Sequence, residues 1–229
     1  MKRSLSSIAL LLFAVASSTT QRATAQVALE QDELLASDAA LGDQLGVAVD
    51  LFADRALTGA WLSDAPGMDG GAAYVWRRTG SIWSEETRLD AFDGAAGDHL
   101  GAAVALGANV ALVGAPAGDA PGPIASAGAV YVFDLVVGAW VPGAKLGASD
   151  AQAGDAFGSA LALDEDTLLV GAPYDSNANG VDAGAAYVFV RSGATWTQQA
   201  KLTPLGGSAN ALFGDRGLAV DGDVAIVGA

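Results

Sequence analysis

The sequence predicts an all-β fold, a β-propeller of four-stranded antiparallel blades, and two observations lead to that prediction. A Gly-Ala motif recurs at a fixed period, with Gly114, Gly171 and Gly228 spaced 57 residues apart (171 − 114 and 228 − 171). Each copy also divides into four apolar runs of five to seven residues, separated by Gly, Asp, Asn or Pro. Runs that short, and rich in Val, Leu, Tyr and Phe, are typical of strands. A repeat of this length indicates a unit that buries its apolar faces by stacking on copies of itself.

The third copy shows the order of the elements most clearly. We predict its first strand at 159–163, then an acidic turn, and its second strand at 167–171, which runs into an Ala-Pro pair. A polar loop leads to the third strand at 184–189, and Trp196 opens the fourth. The copies define blade-like units at 36–89, 90–146 and 147–202, with a partial unit at 203–229.

The composition favours a propeller over a parallel β-helix. The strands are nearly continuous apolar runs, as expected where neighbouring sheets cover both faces. Runs rich in Gly and Ala, such as 158–160, suit strands that crowd around a central axis. A β-helix has shorter coils and lacks paired hairpin turns at this spacing.

The register of the repeat gives an expectation about the ends of the chain. Residues 27–35 match the fourth strand of a preceding blade, and the chain reaches Ala229 before the third strand of its last copy. About three and a half repeats are present, so we expect an incomplete propeller that is the front part of a longer protein. An unpaired sheet edge would otherwise favour aggregation.

The first 25 residues have the layout of a secretory signal peptide. Lys2 and Arg3 form a basic start, an apolar run covers 8–15, and Ala23-Thr24-Ala25 precedes the predicted cleavage site. The apolar run is too short to span a membrane, and no later stretch has about 18 uninterrupted apolar residues. We therefore expect a secreted, periplasmic or cell-surface protein without a membrane span in the mature chain.

The charge of the chain limits its partners. The sequence has 26 acidic residues, 11 Lys and Arg, and no Cys. Loss of the signal peptide removes Lys2, Arg3 and Arg22 and leaves a formal charge of −18 (8 − 26). Such a surface repels nucleic acid and anionic lipid, and it attracts divalent cations. Without disulfides, stability has to come from packing, from backbone hydrogen bonds or from a bound metal.

The motifs of the third copy resemble the FG-GAP repeat. Phe157-Gly158 is followed by Gly171-Ala172-Pro173 and then by a Tyr-Val-Phe strand, and the resemblance covers 27–229. It implies the propeller found in the head of integrin alpha subunits, in a variant common among exported bacterial proteins. The first two copies depart from the motif, with Leu45-Gly46 and Leu100-Gly101 in place of Phe-Gly.

Two further departures affect the strands. The first Gly-Ala is followed by Trp61 instead of proline, so we expect that unit to end its second strand differently. In the last copy, Phe213-Gly214 lies one residue further from the following Gly-Ala than in the third copy.

Loop 175–182 is a candidate calcium site. Asp175, Asn177, Asn179 and Asp182 offer oxygen ligands, and Gly180 at the sixth place permits a sharp bend. This pattern is typical of calcium loops and is similar to those of integrin propellers, although two expected carboxylates are amides and the loop follows the Gly-Ala-Pro motif. The alternative is an Asn/Gly turn whose side chains bond to their own backbone. Both interpretations remain open at this point, and calcium is the one cofactor that the sequence suggests.

Pairs of aspartates five residues apart precede the first strand of three copies: Asp38/Asp43, Asp93/Asp98 and Asp150/Asp155. Because equivalent turns recur in every copy, a residue that stabilises such a turn is expected at the same place in each copy. We therefore predict that they cap connecting turns through backbone N–H groups. Metal bridging between blades is the alternative, and a catalytic pair is not expected in three equivalent copies.

The remaining candidates do not indicate catalysis. His99 is the only histidine, which excludes a metal cluster built from several histidines, and we expect it in an exposed turn. Trp83, Trp140 and Trp196 align, and we predict that they pack between blades rather than form a carbohydrate-stacking ring. No catalytic residue is predicted.

These observations predict a non-enzymatic, secreted or surface-displayed module that binds a protein or glycan, as in adhesion, with calcium as a structural ion. Two alternatives stay open. One is the propeller domain of an exported lyase or hydrolase, and the other is a purely structural repeat scaffold. A propeller supports many activities, so the fold alone does not choose among them.

Overall fold

The computed structural model describes residues 33–64, 67–122 and 124–229. The predicted signal peptide (1–25) and most of the predicted strand at 27–35 lie outside these ranges, and residues 33–35 are not in a strand. The described residues form fourteen strands and no helix. The prediction of an all-β fold of four-stranded antiparallel blades is confirmed.

Three sheets have four strands and a fourth sheet has two. Sheet 1 contains β1 (Val49–Phe52), β2 (Arg55–Ala60), β3 (Ala72–Thr79) and β4 (Ile82–Leu89). Sheet 2 contains β5 (Ala103–Leu106), β6 (Val110–Ala115), β7 (Ala129–Val136) and β8 (Ala139–Leu146). Sheet 3 contains β9 (Leu161–Asp164), β10 (Thr167–Ala172), β11 (Ala185–Ser192) and β12 (Thr195–Leu202). Sheet 4 contains β13 (Leu218–Asp221) and β14 (Val224–Val227).

The strands of every sheet pair in chain order, each antiparallel to the next. The first strands of successive sheets are neighbours, because β1 contacts β5, β5 contacts β9, and β9 contacts β13. The sheets are therefore stacked side by side with their first strands innermost, as propeller blades are. In the described residues the stack does not close into a ring.

Each sheet has two unlike faces. We call the face toward the preceding sheet the back face, and the face toward the following sheet the front face. In sheet 2, Tyr131 and Phe133 of β7 pack at the back against sheet 1, whereas Val130 and Val132 pack at the front against sheet 3. In the seams between sheets 1 and 2 and between sheets 2 and 3, large aromatic side chains thus fill one side and aliphatic side chains fill the other. The core consists of these seams.

The seams are tightest where the motif glycines meet. In the seam between sheets 2 and 3, a Cβ atom on Gly114 would lie closer than 3.0 Å to the carbonyl oxygen of Gly158. Gly128 would likewise collide with the backbone of Phe157, with which it forms a parallel bridge. The equivalent glycines of the other two seams have the same contacts: Gly59, Gly71 and Gly101 in one, and Gly171, Gly184 and Gly214 in the other. The backbones of adjacent sheets touch at points where no side chain fits.

Both irregular copies keep this geometry. The expectation that Trp61 changes the end of the second strand was wrong, because β2 ends at Ala60, the position equivalent to the ends of β6 and β10. In sheet 4 the additional residue lies before β13, where the Gly228 N–H donates to the carbonyl of Gly217. The Gly214 N–H still donates to the Gly228 carbonyl, as in the third copy. The insertion is absorbed in the turn and leaves the hairpin intact.

The antiparallel order separates the connections into two ends. The hairpins between first and second strands, and between third and fourth strands, lie at one end of each sheet. The longer β2–β3, β6–β7 and β10–β11 connections and the linkers between sheets lie at the other end. We call that second end the loop face, and the candidate side chains of loop 175–182 belong to it.

We predict that Gly114→Ala destabilises the protein by at least about 2 kcal/mol, because the new methyl group overpacks a backbone contact that cannot move away. Urea unfolding followed by circular dichroism measures the effect. The matched control is Gly217→Ala, whose Cβ would have no heavy atom nearer than 3.6 Å. Equal stability of the two variants would contradict the close approach of the sheets.

Candidate functional site

Asp175 of the candidate calcium loop lies inside the protein. The residue has no exposed surface, although it follows directly after the half-exposed Tyr174. One carboxylate oxygen accepts a hydrogen bond from Asn177 Nδ2 at 3.0 Å. The other lies 2.9 Å from the Tyr187 hydroxyl and 2.7 Å from Lys201 Nζ. The carboxylate is therefore surrounded by donors of its own chain.

Lys201 holds two carboxylates at once. Its Nζ lies 2.7 Å from Asp150 Oδ2 and 2.7 Å from Asp175 Oδ2. Tyr187, which pairs with Lys201 across β11 and β12, also places its hydroxyl 2.9 Å from Asp150 Oδ1. The lysine ammonium thus supplies, between two acids, the positive charge that a metal cation would otherwise supply.

The other loop residues form a tight turn. Asn177 and Gly180 exchange backbone hydrogen bonds of 3.0 and 3.1 Å, and Asn177 Oδ1 accepts from the Asn179 N–H at 3.0 Å. Gly180 has a positive φ of 131°, which explains the need for glycine at this place. Asn179 Nδ2 donates to the Pro204 carbonyl at 3.0 Å. The amide side chains are therefore occupied by backbone groups.

These contacts support the Asn/Gly turn interpretation of the loop. The structure brings Asp175 and Asn177 together, but Asn179 bonds to the next linker, and the Asp182 N–H donates to Ser176 Oγ at 3.2 Å. Among the described residues, no group of three or more His, Cys, Asp or Glu side chains is placed to hold a metal ion. Calcium binding by the loop stays a prediction.

A cluster of aspartate, tyrosine and a basic residue recurs in all three complete sheets. In sheet 2 the Tyr131 hydroxyl donates to Asp93 at 2.7 Å, and Lys145 Nζ lies 2.8 Å from the same carboxylate. In sheet 1, Tyr74 donates to Asp38 at 2.8 Å, and Arg88 forms the ion pair. Each aspartate lies in a linker and each tyrosine in a third strand. We call each cluster a tether, because it fixes a linker to the sheet that follows it.

The third tether differs from the others in one residue. Asp175 aligns with Gly118 of the second copy and Ser63 of the first. At this position, therefore, only the third of the three described tethers has a carboxylate from the loop after the second strand. Within the part of the chain that the structure describes, Lys201 is the one tether cation in contact with a carboxylate that has no exposed surface.

The second aspartate of each pair caps a turn, as predicted. Asp43, Asp98 and Asp155 accept hydrogen bonds from the backbone N–H three residues earlier, at 2.9, 2.8 and 2.7 Å. The first aspartate of each pair has the different role described above. The prediction of turn capping thus holds for one member of each pair, and the other member binds a tyrosine and a cation.

The contacts and burial of the third tether and its neighbouring turn cap shift the pKa values of their acidic groups. Burial alone would raise the pKa of Asp150, but hydrogen bonds from Lys201 and Tyr187 outweigh it and lower the pKa. Burial, with the nearby Asp175 carboxylate, raises the pKa of Tyr187. Burial also raises the pKa of Asp155. The stability that Asp150 contributes is present above the ordinary carboxyl pKa and is lost as the pH falls through its lowered value.

His99 is partly buried, whereas an exposed turn was expected. Its backbone adopts a positive φ of 60°, and its ring contacts Trp61 at a centroid distance of 5.1 Å. Trp61 Nε1 donates to Gln44 Oε1 at 3.0 Å. Trp61 thus connects the linkers that enter sheets 1 and 2, at a position where the next two copies have proline.

The prediction of packing between blades holds for Trp140 and Trp196, whose clusters span two sheets, whereas the cluster of Trp83 contains only sheet 1 and the linker before it. Trp83, Trp140 and Trp196 are each partly buried against a core cluster. Each also lies beside an arginine side chain, at 5.6 to 5.9 Å from ring centroid to guanidinium carbon. The arginine comes from the same hairpin for Trp83 and Trp196, and from the preceding sheet for Trp140. This repeated coverage fits a structural role better than a ring of sugar-binding surfaces.

The tethers were not predicted from the sequence, although the sequence contains a pattern that indicates them. The tyrosines and the basic residues recur with the same period as the aspartates: Tyr74, Tyr131 and Tyr187, and Arg88, Lys145 and Lys201. The members of one tether are far apart in the chain, since Asp93 and Lys145 are separated by 52 positions. Only the antiparallel pairing of third and fourth strands shows that they meet.

We predict that Lys201→Met lowers the free energy of unfolding by about 3 kcal/mol, because it leaves the buried Asp175 without a counter-charge. The matched control is Lys145→Met, which leaves only the half-exposed Asp93 unpaired and should cost about 1 kcal/mol or less. Urea unfolding at neutral pH measures both. Equal effects of the two substitutions would contradict the special role of Lys201.

The calcium prediction is tested by thermal unfolding. Melting temperatures are compared in calcium and in chelator for the unsubstituted protein and for Asp175→Ala. A calcium-dependent rise that Asp175→Ala abolishes would establish the loop as a calcium site. Equal melting temperatures would leave the Asn/Gly turn as the correct interpretation.

Comparison with known proteins identifies the family. The FG-GAP repeat model matches the chain four times, at residues 29–76, 83–133, 140–189 and 196–229. A search of curated proteins gave no match. The boundaries between the matches fall at the hairpins between third and fourth strands, so the second, third and fourth matches each contribute strands to two neighbouring sheets. Since the matches cover most of the sequence, the chain belongs to the FG-GAP repeat family.

Proposed function

We propose that the protein is a non-enzymatic binding module that recognises a protein partner through the loop face. The proposal rests on one observation: the polar side chains that repeat in every copy are bonded within the protein, whereas those exposed on the loop face are not repeated. The repeated acids are taken up by tethers and turn caps. The groups that remain exposed on the loop face differ from copy to copy, as expected for a recognition surface on a rigid frame.

The loop face combines exposed apolar side chains with acidic ones. Its exposed large apolar residues are Leu41, Met68, Phe92, Tyr174, Val181 and Leu205. Asp64 and Asp119, in the β2–β3 and β6–β7 connections, are exposed as well. Surfaces that mix aromatic and aliphatic groups with charge are typical of protein interfaces. The net charge of −15 favours a partner with a basic surface.

A glycan partner is less well supported. The aligned tryptophans that could stack on sugars are partly buried and covered by arginines. Trp61 remains partly accessible, but its indole N–H is already bonded to Gln44. A protein partner therefore agrees better with the described side chains.

Arrays of extracellular proteins and of glycans test the proposal. We expect binding to at least one basic protein, weakened by salt, and lost in a variant with Met68→Ser, Tyr174→Ser and Leu205→Ser. The control carries Ile82→Ser and Val137→Ser, which lie on exposed hairpins at the opposite end. Binding that only the control loses, or binding to glycans alone, would contradict the proposal.

We also propose that the protein is exported. The basic start at Lys2-Arg3, the apolar run at 8–15 and Ala23-Thr24-Ala25 support this. N-terminal sequencing of the protein recovered from outside the cytoplasm should give Gln26 as the first residue. A chain that keeps its first residues and stays inside the cell would contradict export. Among the described residues, no helix is long and apolar enough to cross a membrane.

A further inference from the structure

The tip of the β7–β8 hairpin contains a valine in a strained backbone conformation. The two turn residues, Val137 and Gly138, have positive φ angles of 50° and 81°, as a type I′ turn requires. At the place of Val137 the hairpins of sheets 1 and 3 have Gly80 and Gly193, with φ angles of 65° and 63°. A β-branched residue is unfavourable in this conformation. Sheet 2 therefore keeps a valine where the turn itself favours glycine.

This valine belongs to an apolar tip that only sheet 2 has among the three complete sheets. Val136, Val137 and Val141 are all exposed, and Val137 is fully so. The equivalent residues of the other hairpins are polar or glycine: Thr79, Gly80 and Ser84 in sheet 1, and Ser192, Gly193 and Thr197 in sheet 3. Folding does not require an exposed apolar side chain here, and backbone strain tends to be kept where it serves function. The tip is therefore a candidate contact surface.

A groove lies beside the tip, between the β7–β8 and β11–β12 hairpins. Its volume is about 330 Å³. Leu135 and Val136 line it from one hairpin, and Ala194 lines it from the other. The charged groups in the groove are paired, because Arg191 Nη2 lies 3.0 Å from Asp134 Oδ1. The groove can therefore take up an apolar side chain without leaving this ion pair broken.

Charge is unevenly distributed at this end of the protein, which lies opposite the loop face and which we call the hairpin end. The segments at 164–166 in sheet 3 and 221–223 in sheet 4 contain five acids (three and two) and no Lys or Arg. Neither turn of sheet 2 contains a charged residue. In sheet 1, Arg77 and Arg78 lie beside Asp54, with Arg77 Nη2 3.4 Å from Asp54 Oδ2. The turns of sheets 3 and 4 are thus acidic, whereas those of sheets 1 and 2 are neutral or carry arginines.

We propose that two copies of this chain associate through their hairpin ends about a twofold axis, with Val137 of each copy in the groove of the other. A twofold contact requires that a protruding group and the site that receives it lie on the same surface. The tip and the groove meet this requirement, because Val136 belongs to both. Each copy contributes one valine and one groove, so the apolar contact is made twice.

The distribution of charge favours a second copy as the occupant of the groove. When two hairpin ends meet about an axis that passes between sheets 2 and 3, sheet 2 of one copy lies opposite sheet 3 of the other, and sheet 1 lies opposite sheet 4. The acidic turns then face uncharged or arginine-bearing turns and do not face each other. The loop face stays free in such a dimer, so this inference does not depend on the proposed binding function.

Sedimentation equilibrium of the full chain tests the proposal, with Val137→Gly as the diagnostic variant. We expect a concentration-dependent dimer of twice 22.7 kDa. Its dissociation constant should rise at least about tenfold in Val137→Gly, because two buried valine contacts are lost. Glycine suits this turn, so the melting temperature of the dilute monomer should not fall. The matched control is Val47→Gly, which removes a half-exposed valine at the opposite end and should leave the dimer unchanged.

Reversal of charge tests the orientation of the two copies. Arg77→Glu should weaken the dimer at low salt, since it places an acid opposite the acidic turn of sheet 4. Asp223→Arg in the same chain should restore the dimer, because the twofold axis brings sheet 1 against sheet 4 at both places. A monomer at every concentration, a dimer that Val137→Gly leaves intact, or a charge reversal that Asp223→Arg does not restore would overturn the proposal.

Discussion

The close approach of neighbouring backbones at the seams is the constraint on which the rest of the structure depends. At Gly114 and Gly158, and at the equivalent glycines of the other seams, a single methyl group would collide with a backbone atom. This contact brings the end of one second strand against the turn that leads to the next first strand. The glycines of the repeat motif are therefore the points where sheets join.

The close contact of the backbones also determines the size of the side chains around it. Once the inner strands are fixed close together, the sheets diverge outward, and larger residues fill the widening space. Tyr131 and Phe133 lie on one side of a seam, and Leu57 and Val75 lie on the other. The tethers then fix each linker to the following sheet. Since the frame holds itself together with repeated residues, the residues that do not repeat are free to carry function.

The repeat in the sequence was sufficient to predict the fold, because period, strand length and small residues all have a direct physical cause. The repeat was not sufficient to predict which partners the polar side chains bond to. Asp175 in the sequence is equally suited to calcium and to a turn, and only the position of Lys201 shows which donors reach it. The effect of Trp61 was misjudged for a similar reason: the backbone of β2 follows the seam glycine Gly59, not the residue that comes after the strand.

Amide hydrogen exchange of the native protein tests the central claim most directly. The N–H groups of Leu100 and Phe157 donate across seams to the carbonyls of Gly70 and Ala127, at 3.0 Å each. The account predicts that these two amides exchange as slowly as amides inside the central strands. Exchange as fast as that of the Gly138 hairpin amide would show that the sheets do not hold each other at the glycine seams, and would contradict the account.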